Sequence, residues 1–132
     1  LQYTSMPIPA YEKCLIDRNR LPVVIMGNGR VVGFFVLDQG EDVASYSANP
    51  YAILLRAFSV NLSEQGMGYG RASIGQLKPI VRDRFTECNE IVLGVNEDNE
   101  AARQLYLKAG FVDSNEKKLG RSGYQAILRY KI

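Results

Sequence analysis

The chain has 132 residues with a formal net charge of +2, and is 46% hydrophobic and 23% charged. That is one domain of ordinary globular composition, long enough for one good core. The charge is too small, and too scattered for a Lys/Arg block, to favour nucleic acid; no apolar run reaches membrane-spanning length, no signal-peptide pattern is visible, and the expectation is a cytoplasmic protein.

Pro7 and Pro9 discourage an early helix, and helical spacing starts at residue 10 and runs to 18. Residues 21–26 and 30–37 are two strands around Gly27-Asn28-Gly29, a strong hairpin signal. Residues 39–50 read as a polar loop, and the apolar run 53–60 as a central strand. A glycine-rich turn over residues 65–71 then opens a long helix from Gly68 to about Phe85, with Ile74, Leu77, Val81 and Phe85 on one face. Pro79 lies inside that span and should kink or break it. Residues 91–95 form a short buried strand. A helix follows over 99–109, capped by Asn96 or Asn99, with Ala102, Leu105 and Ala109 as its buried stripe and Gly110 as its stop. Residues 111–118 and 124–130 are the last two strands, joined by a turn at 120–123. No internal repeat, low-complexity tract or second domain is visible, so residues 1–132 read as one unit.

Several chemistries are excluded. With no histidine there is no Ser-His-Asp or Cys-His mechanism and no His-ligated metal. Cys14 and Cys88 show no metal spacing and read as reduced thiols, so no metal is expected.

The glycine turn carries the chemistry. A helix start presents amides with no internal partner, and glycines let a phosphate approach the backbone closely. Gly66, Gly68 and Gly70 do not give the G-x-G-x-x-G of a dinucleotide site, and no Lys-Ser or Lys-Thr follows as in a P-loop. What remains is Q-x-x-G-x-G, from Gln65 to Gly70, which resembles the pyrophosphate loop of the GNAT superfamily of acetyl-CoA-dependent N-acetyltransferases. The alternative is a glycine-rich loop with no ligand. A second segment resembles the family's other signature, N-x-x-A-x-x-L-Y-x-K-x-G-F, met by Asn99, Ala102, Leu105, Tyr106, Lys108, Gly110 and Phe111. Two ordered motifs, each in the expected strand-helix context, are far more specific than one.

The resemblance covers residues 22–132 and implies the family's α/β (α+β) fold, a mixed, mostly antiparallel sheet flanked by helices. The family order opens with a strand and one or two helices before the hairpin. The first strand and helix are therefore expected to be missing here, with residues 3–20 matching the second helix and the substrate-side loop. It further implies that the strands at 53–60 and 90–96 splay apart and that the pantetheine arm of acetyl-CoA pairs in the gap as a short pseudo-strand. Phe58, Ser59 and Val60 would line it. The amides of Gly66, Met67, Gly68, Tyr69, Gly70 and Arg71, preceded by Gln65, would hold the pyrophosphate, and Asn99 would bond the pantetheine. Arg71 either adds charge near the phosphates or is a solvated first-turn arginine.

The implied reaction is direct attack of an amine on the thioester. Tyr106 matches the family's usual acid and would protonate the leaving thiolate; otherwise it packs beside Leu105. Many relatives carry a carboxylate base in the strand before the loop, but the only charge in residues 53–60 is Arg56, and a guanidinium is no base at neutral pH. Water, a backbone carbonyl, or Asp38, Glu41 or Asp42 would then serve. Arg56 either binds an acceptor's carboxylate or faces solvent. The layout is similar to bacterial polyamine acetyltransferases of the superfamily, and Glu12, Asp17, Asp38, Glu41 and Asp42 suit such an acceptor. Arg56 argues against it and leaves amino-acid-like amines and protein N-termini open. The competing reading is a GNAT-fold module that binds acyl-CoA without efficient catalysis. Oligomeric state, a homodimer included, is left open.

Overall fold

The structure, a computed structural model, describes residues 18–132. The helix expected over residues 10–18, and with it Glu12, Cys14 and Asp17, lies outside them apart from Arg18, which sits in the turn entering the first strand. The elements are β1 (Arg20–Gly27), β2 (Arg30–Asp38), a 3-10 turn (Glu41–Ser45), β3 (Ala52–Val60), a second 3-10 turn (Leu62–Glu64), α1 (Tyr69–Gly75), α2 (Leu77–Arg84), β4 (Glu90–Asn96), α3 (Glu100–Lys108), β5 (Val112–Gly120) and β6 (Gly123–Lys131).

The hairpin signal is met by a two-residue turn. Asn28 and Gly29 both have positive φ (52° and 77°), as a turn matching the strand twist requires, and Gly27 pairs with Arg30. The stretch 39–50 is not simply a polar loop: its 3-10 turn buries Val43 against Ala52, Leu54 and Val92. The expected long helix is two helices, and the break falls at Gln76 rather than Pro79. Gln76 ends α1 and starts α2, which places Pro79 in the first turn of α2, where a missing N–H leaves no hydrogen bond unmade.

Six strands form one sheet in the order β1-β2-β3-β4-β6-β5, antiparallel throughout except for β3 beside β4. This is the mixed, mostly antiparallel sheet expected. One face carries the main core, where Ile74, Leu77 and Val81 of α1 and α2 pack on Phe35, Leu37, Ile53, Leu55, Ile91 and Leu93. In α3 the stripe shifts: Tyr106 is its buried residue, whereas Ala102, Leu105 and Ala109 are only half-buried.

The β3–β4 junction sets the site. The two strands pair only at Ala52–Glu90, Ile53–Ile91 and Leu54–Val92. Beyond that point β3 continues to Val60 and β4 to Asn96 without pairing to each other, so the sheet opens as a V. A bulge helps drive β3 away. Between the pairs Phe34–Ser59 and Val36–Arg56, β3 carries one residue more than β2, and Ala57 takes φ 56° there. An extra residue bends and twists a strand locally.

Candidate active site

The mouth of the V is a cleft of about 560 Å³, lined by Phe58, Ser59 and Val60 from β3, Gln65, Gly66, Gly68, Gly70 and Arg71 from the glycine turn, and Asn99, Ala101, Ala102 and Leu105 from α3. The two sequence motifs therefore meet across one cavity. Gly66 and Gly68 hold φ of 81° and 85°, where other residues are strained, and a Cβ at either would meet nothing within 4 Å. Their glycines serve the turn and leave the backbone open. Gly70 is constrained differently: a Cβ there would lie 3.3 Å from Leu105 and within 4 Å of Phe58 and Val60, three cleft residues.

Gly68 precedes α1, and no side chain caps that helix end. Its first amides thus remain available to an anion. The loop is anchored from behind. Buried Glu64 pairs with Arg30, the Glu64 amide donates to the Asn61 carbonyl (2.8 Å), and the Gln65 side-chain amide donates to the Val60 carbonyl (3.1 Å). Arg71 is exposed at the cleft edge and makes no ion pair among the described residues. Asn99 caps α3: its side-chain oxygen accepts from the Ala102 amide (3.2 Å), leaving the side-chain NH2 to donate to a ligand.

Two of the expected ligand residues point elsewhere. Met67 is exposed and does not line the cleft. The Tyr69 ring turns toward the hairpin, where a Cβ on Gly27 would lie 2.5 Å from it and where its hydroxyl accepts from Asn28 (3.4 Å). Each leaves only its backbone to the loop.

Tyr106 lies beneath the cleft wall. It belongs to an aromatic row running Phe35, Phe58, Tyr106, Phe111 and Tyr130, with successive ring centroids 5.8, 5.9, 5.6 and 5.1 Å apart. The row spans the region where β3 and β4 no longer pair, so side chains close on the helix face what the backbone leaves open. Burial pushes the Tyr106 hydroxyl up to about 12, keeping it protonated throughout the neutral range.

Arg56 sits two residues past Leu54, the last β3 residue paired with β4, on the face away from α1–α3. It donates to Asp38 and to Asp42, each at 2.9 Å, and Arg20 adds contacts of 3.6 and 3.5 Å to the same two carboxylates. Burial lowers the Arg56 pKa, but hydrogen bonds and charge from Asp42 and Asp38 outweigh that and raise it overall. The guanidinium is thus a charge balanced within a two-plus, two-minus cluster. Asp38, nearly fully buried, also accepts from the Gly40 amide (2.7 Å), so its oxygens are committed. Exposed Asp42 shares the same arginines.

Sequence reasoning passed over Ala101 and read Ala102 and Leu105 as core stripe alone; both pack on the main core and also line the cleft, because helical spacing reports which residues share a face and not everything that opposes it. It also passed over Tyr46, whose ring lies over Gly94 of β4; a Cβ on Gly94 would be 2.9 Å from it. The signal was present as a glycine inside a strand, which marks close approach.

A V-shaped opening in a mixed sheet, an uncapped glycine turn on one side and an asparagine-capped helix on the other define a site for an acyl-CoA. The profile of the Acetyltransferase (GNAT) family matches residues 2–111, and the chain belongs to that family of acetyl-CoA-dependent acetyltransferases. Among individual proteins it is 38% identical over 130 residues to the uncharacterized N-acetyltransferase YbbJ of Bacillus subtilis (strain 168), covering 98% of this chain and 81% of that one. Of solved structures it resembles the aminoglycoside acetyltransferase AAC(6')-Ib, crystallised with coenzyme A and kanamycin (TM-score 0.74, 19% identity, 89% of this chain and 69% of that one). It also resembles the spermidine N-acetyltransferase SpeG of Vibrio cholerae, an F149A mutant (TM-score 0.71, 18% identity, 93% and 72%). At those identities the likeness carries the fold. Among the described residues no cluster of metal-ligating side chains occurs and no helix is long and apolar enough to cross a membrane.

Proposed function

We propose that the chain transfers the acetyl group of acetyl-CoA to a primary amine of a small molecule, by direct attack within a ternary complex in the cytoplasm. The observation that carries this is the convergence of both motifs on the cleft at the mouth of the β3–β4 opening. The open backbone at Gly66 and Gly68 suits a pyrophosphate, Arg71 supplies a cation beside it, and Asn99 retains a free donor for the pantetheine amides. From there the pantetheine arm runs along the unpaired β3 edge toward Leu54 and Val92, where the strands meet.

The acceptor nitrogen attacks the thioester carbonyl. The N–C bond forms, the C–S bond breaks, and the sulfur leaves with the electron pair. An alkyl amine is mostly protonated at neutral pH and must first lose a proton. With Asp38 committed to Arg56, Arg20 and the Gly40 amide, that proton passes to water, and the second proton, shed by the nitrogen as the amide forms, reaches the sulfur so that CoA leaves as the thiol. Tyr106 stabilises the departing thiolate by hydrogen bonding and shares its proton. A phenol held near 12 is a weaker acid than a thiol of about 8.5, so the hydrogen bond matters more than full transfer.

A catalytically weak acyl-CoA-binding module is the second reading, favoured by one observation: an arginine occupies the mid-strand position and the nearby buried carboxylate is engaged. Free-thiol release from acetyl-CoA against a panel of polyamines, diamines and amino-acid-like amines separates the two. Amine-dependent release supports the enzyme; tight CoA binding with no release under any amine supports the module.

A further inference from the structure

On the face of the sheet away from the helices, the arms of the V carry two residues at equivalent positions. Arg56 lies two residues past Leu54, and Gly94 two residues past Val92. Both flank the vertex from the side that the glycine turn and α3 leave free. On the β3 arm the charge is internally balanced by Asp38 and Asp42. The β4 arm differs. Gly94 has no side chain, and its place is taken by the Tyr46 ring and the Gln125 amide, 2.9 and 2.6 Å from where a Cβ would stand. Over that ring, 5.0 Å from its centroid, sits the ammonium of Lys118 from β5. Lys118 is half-buried and makes no ion pair with a carboxylate among the described residues, unlike its neighbour Lys117, which is paired with Glu97. An ammonium held by a ring face alone is weakly held, since a cation–π contact at such a site is worth about 0.5–2 kcal/mol.

We propose that the Tyr46 ring face is the cation subsite of the amine acceptor, and that Lys118 is its displaceable internal occupant. The inference rests on the acetyltransferase reading and deepens it. An acceptor carrying a second cationic group places that group on Tyr46 while its free amine reaches the vertex, and Lys118 swings out to solvent. An amine with one nitrogen gains nothing from the ring. Tyr46 and Lys118 are thus specificity residues that act on acceptor affinity and leave the chemical step alone.

The test compares 1,4-diaminobutane with butylamine. KM and kcat are measured for the wild type, Tyr46→Leu, Tyr46→Phe and Lys118→Met, and diamine affinity is measured in parallel by calorimetry on the CoA-loaded protein. Tyr46→Leu is expected to raise KM and Kd for the diamine about 3- to 30-fold at unchanged kcat, with butylamine unaffected. Tyr46→Phe keeps the ring and should retain the wild-type preference. Lys118→Met removes the competitor and should lower the diamine KM and Kd several-fold. Diamine affinities unchanged in both Tyr46→Leu and Lys118→Met overturn the proposal, as does a Tyr46→Phe variant as weak as Tyr46→Leu. If neither amine is turned over, the acetyltransferase reading has failed with these amines, while the calorimetric comparison still decides the subsite.

Discussion

Replacing Tyr106 by phenylalanine removes one oxygen and keeps the ring that packs edge-on to Phe58 and Phe111. The row and its packing should survive, so stability at pH 7 should change by less than about 1 kcal/mol; a tyrosine-to-phenylalanine change removes no carbon from the core. Catalysis should not survive so well: losing a hydrogen-bond donor to a developing thiolate costs on the order of 10²-fold in kcat, or about 3 kcal/mol, with acetyl-CoA affinity nearly unchanged. The same variant has a second signature. Burial raises the folded-state pKa from a phenol's ordinary 10.0 to about 12. The stabilisation is therefore complete below pH 10 and is lost as pH rises from 10 to 12, because the unfolded chain gives up the proton first. Two units correspond to about 3 kcal/mol, an order-of-magnitude figure. Urea unfolding of wild type and Tyr106→Phe at pH 8 and pH 11 reads the difference: the wild type should lose more stability across that interval, since every other group is common to both proteins. Steady-state kinetics with acetyl-CoA held saturating reads the other half. A variant with wild-type kcat, or one that unfolds at pH 7, would refute the assignment of Tyr106 as the thiolate's donor.

Gly68→Glu puts a bulky anion at the uncapped start of α1, at φ 85°, and should abolish CoA binding by calorimetry while circular dichroism shows an intact fold. Gly70→Ala separates site from scaffold: alanine favours a helix by about 0.5–1 kcal/mol, so thermal stability should hold or rise, whereas the methyl group enters among Phe58, Val60 and Leu105 and should weaken acetyl-CoA binding. Arg56→Ala leaves the buried Asp38 carboxylate with Arg20 as its remaining ion-pair partner among those described, and should cost about 2 kcal/mol in denaturant unfolding, less than a fully orphaned buried charge.

Much of the sheet was legible because its signals are local. Asn28-Gly29 makes a two-residue hairpin from its own φ preferences, and the unbroken apolar runs of β3 and β4 mark strands covered on both faces. The glycine turn was legible for the same reason, since positive φ at Gly66 and Gly68 is a property of those residues. What stayed hidden depends on distant partners. Nothing near Arg56 in the chain says that Asp38 and Asp42, 18 and 14 residues earlier, neutralise it. The bulge at Ala57 was equally hidden, being a mismatch between two strands rather than a feature of one. Pro79 misled because a proline only breaks a helix from its interior, and the helix boundary at Gln76 moved it into a first turn. In α3, Ala102 and Leu105 carry the spacing of a core stripe and do pack on the core, but they also line the cleft that the splayed strands create.

The central claim is that an acetyl group passes from thioester to amine in one step within this cleft. Single turnover of the wild-type chain with acetyl-labelled acetyl-CoA and a reactive amine, quenched over time and resolved by mass spectrometry, tests it most directly. The account predicts free CoA and N-acetylated amine appearing together in equal amounts, with no label on the protein at any time. Label accumulating on the protein before the amine, or a bound acetyl-CoA that stays intact under every amine offered, would contradict it.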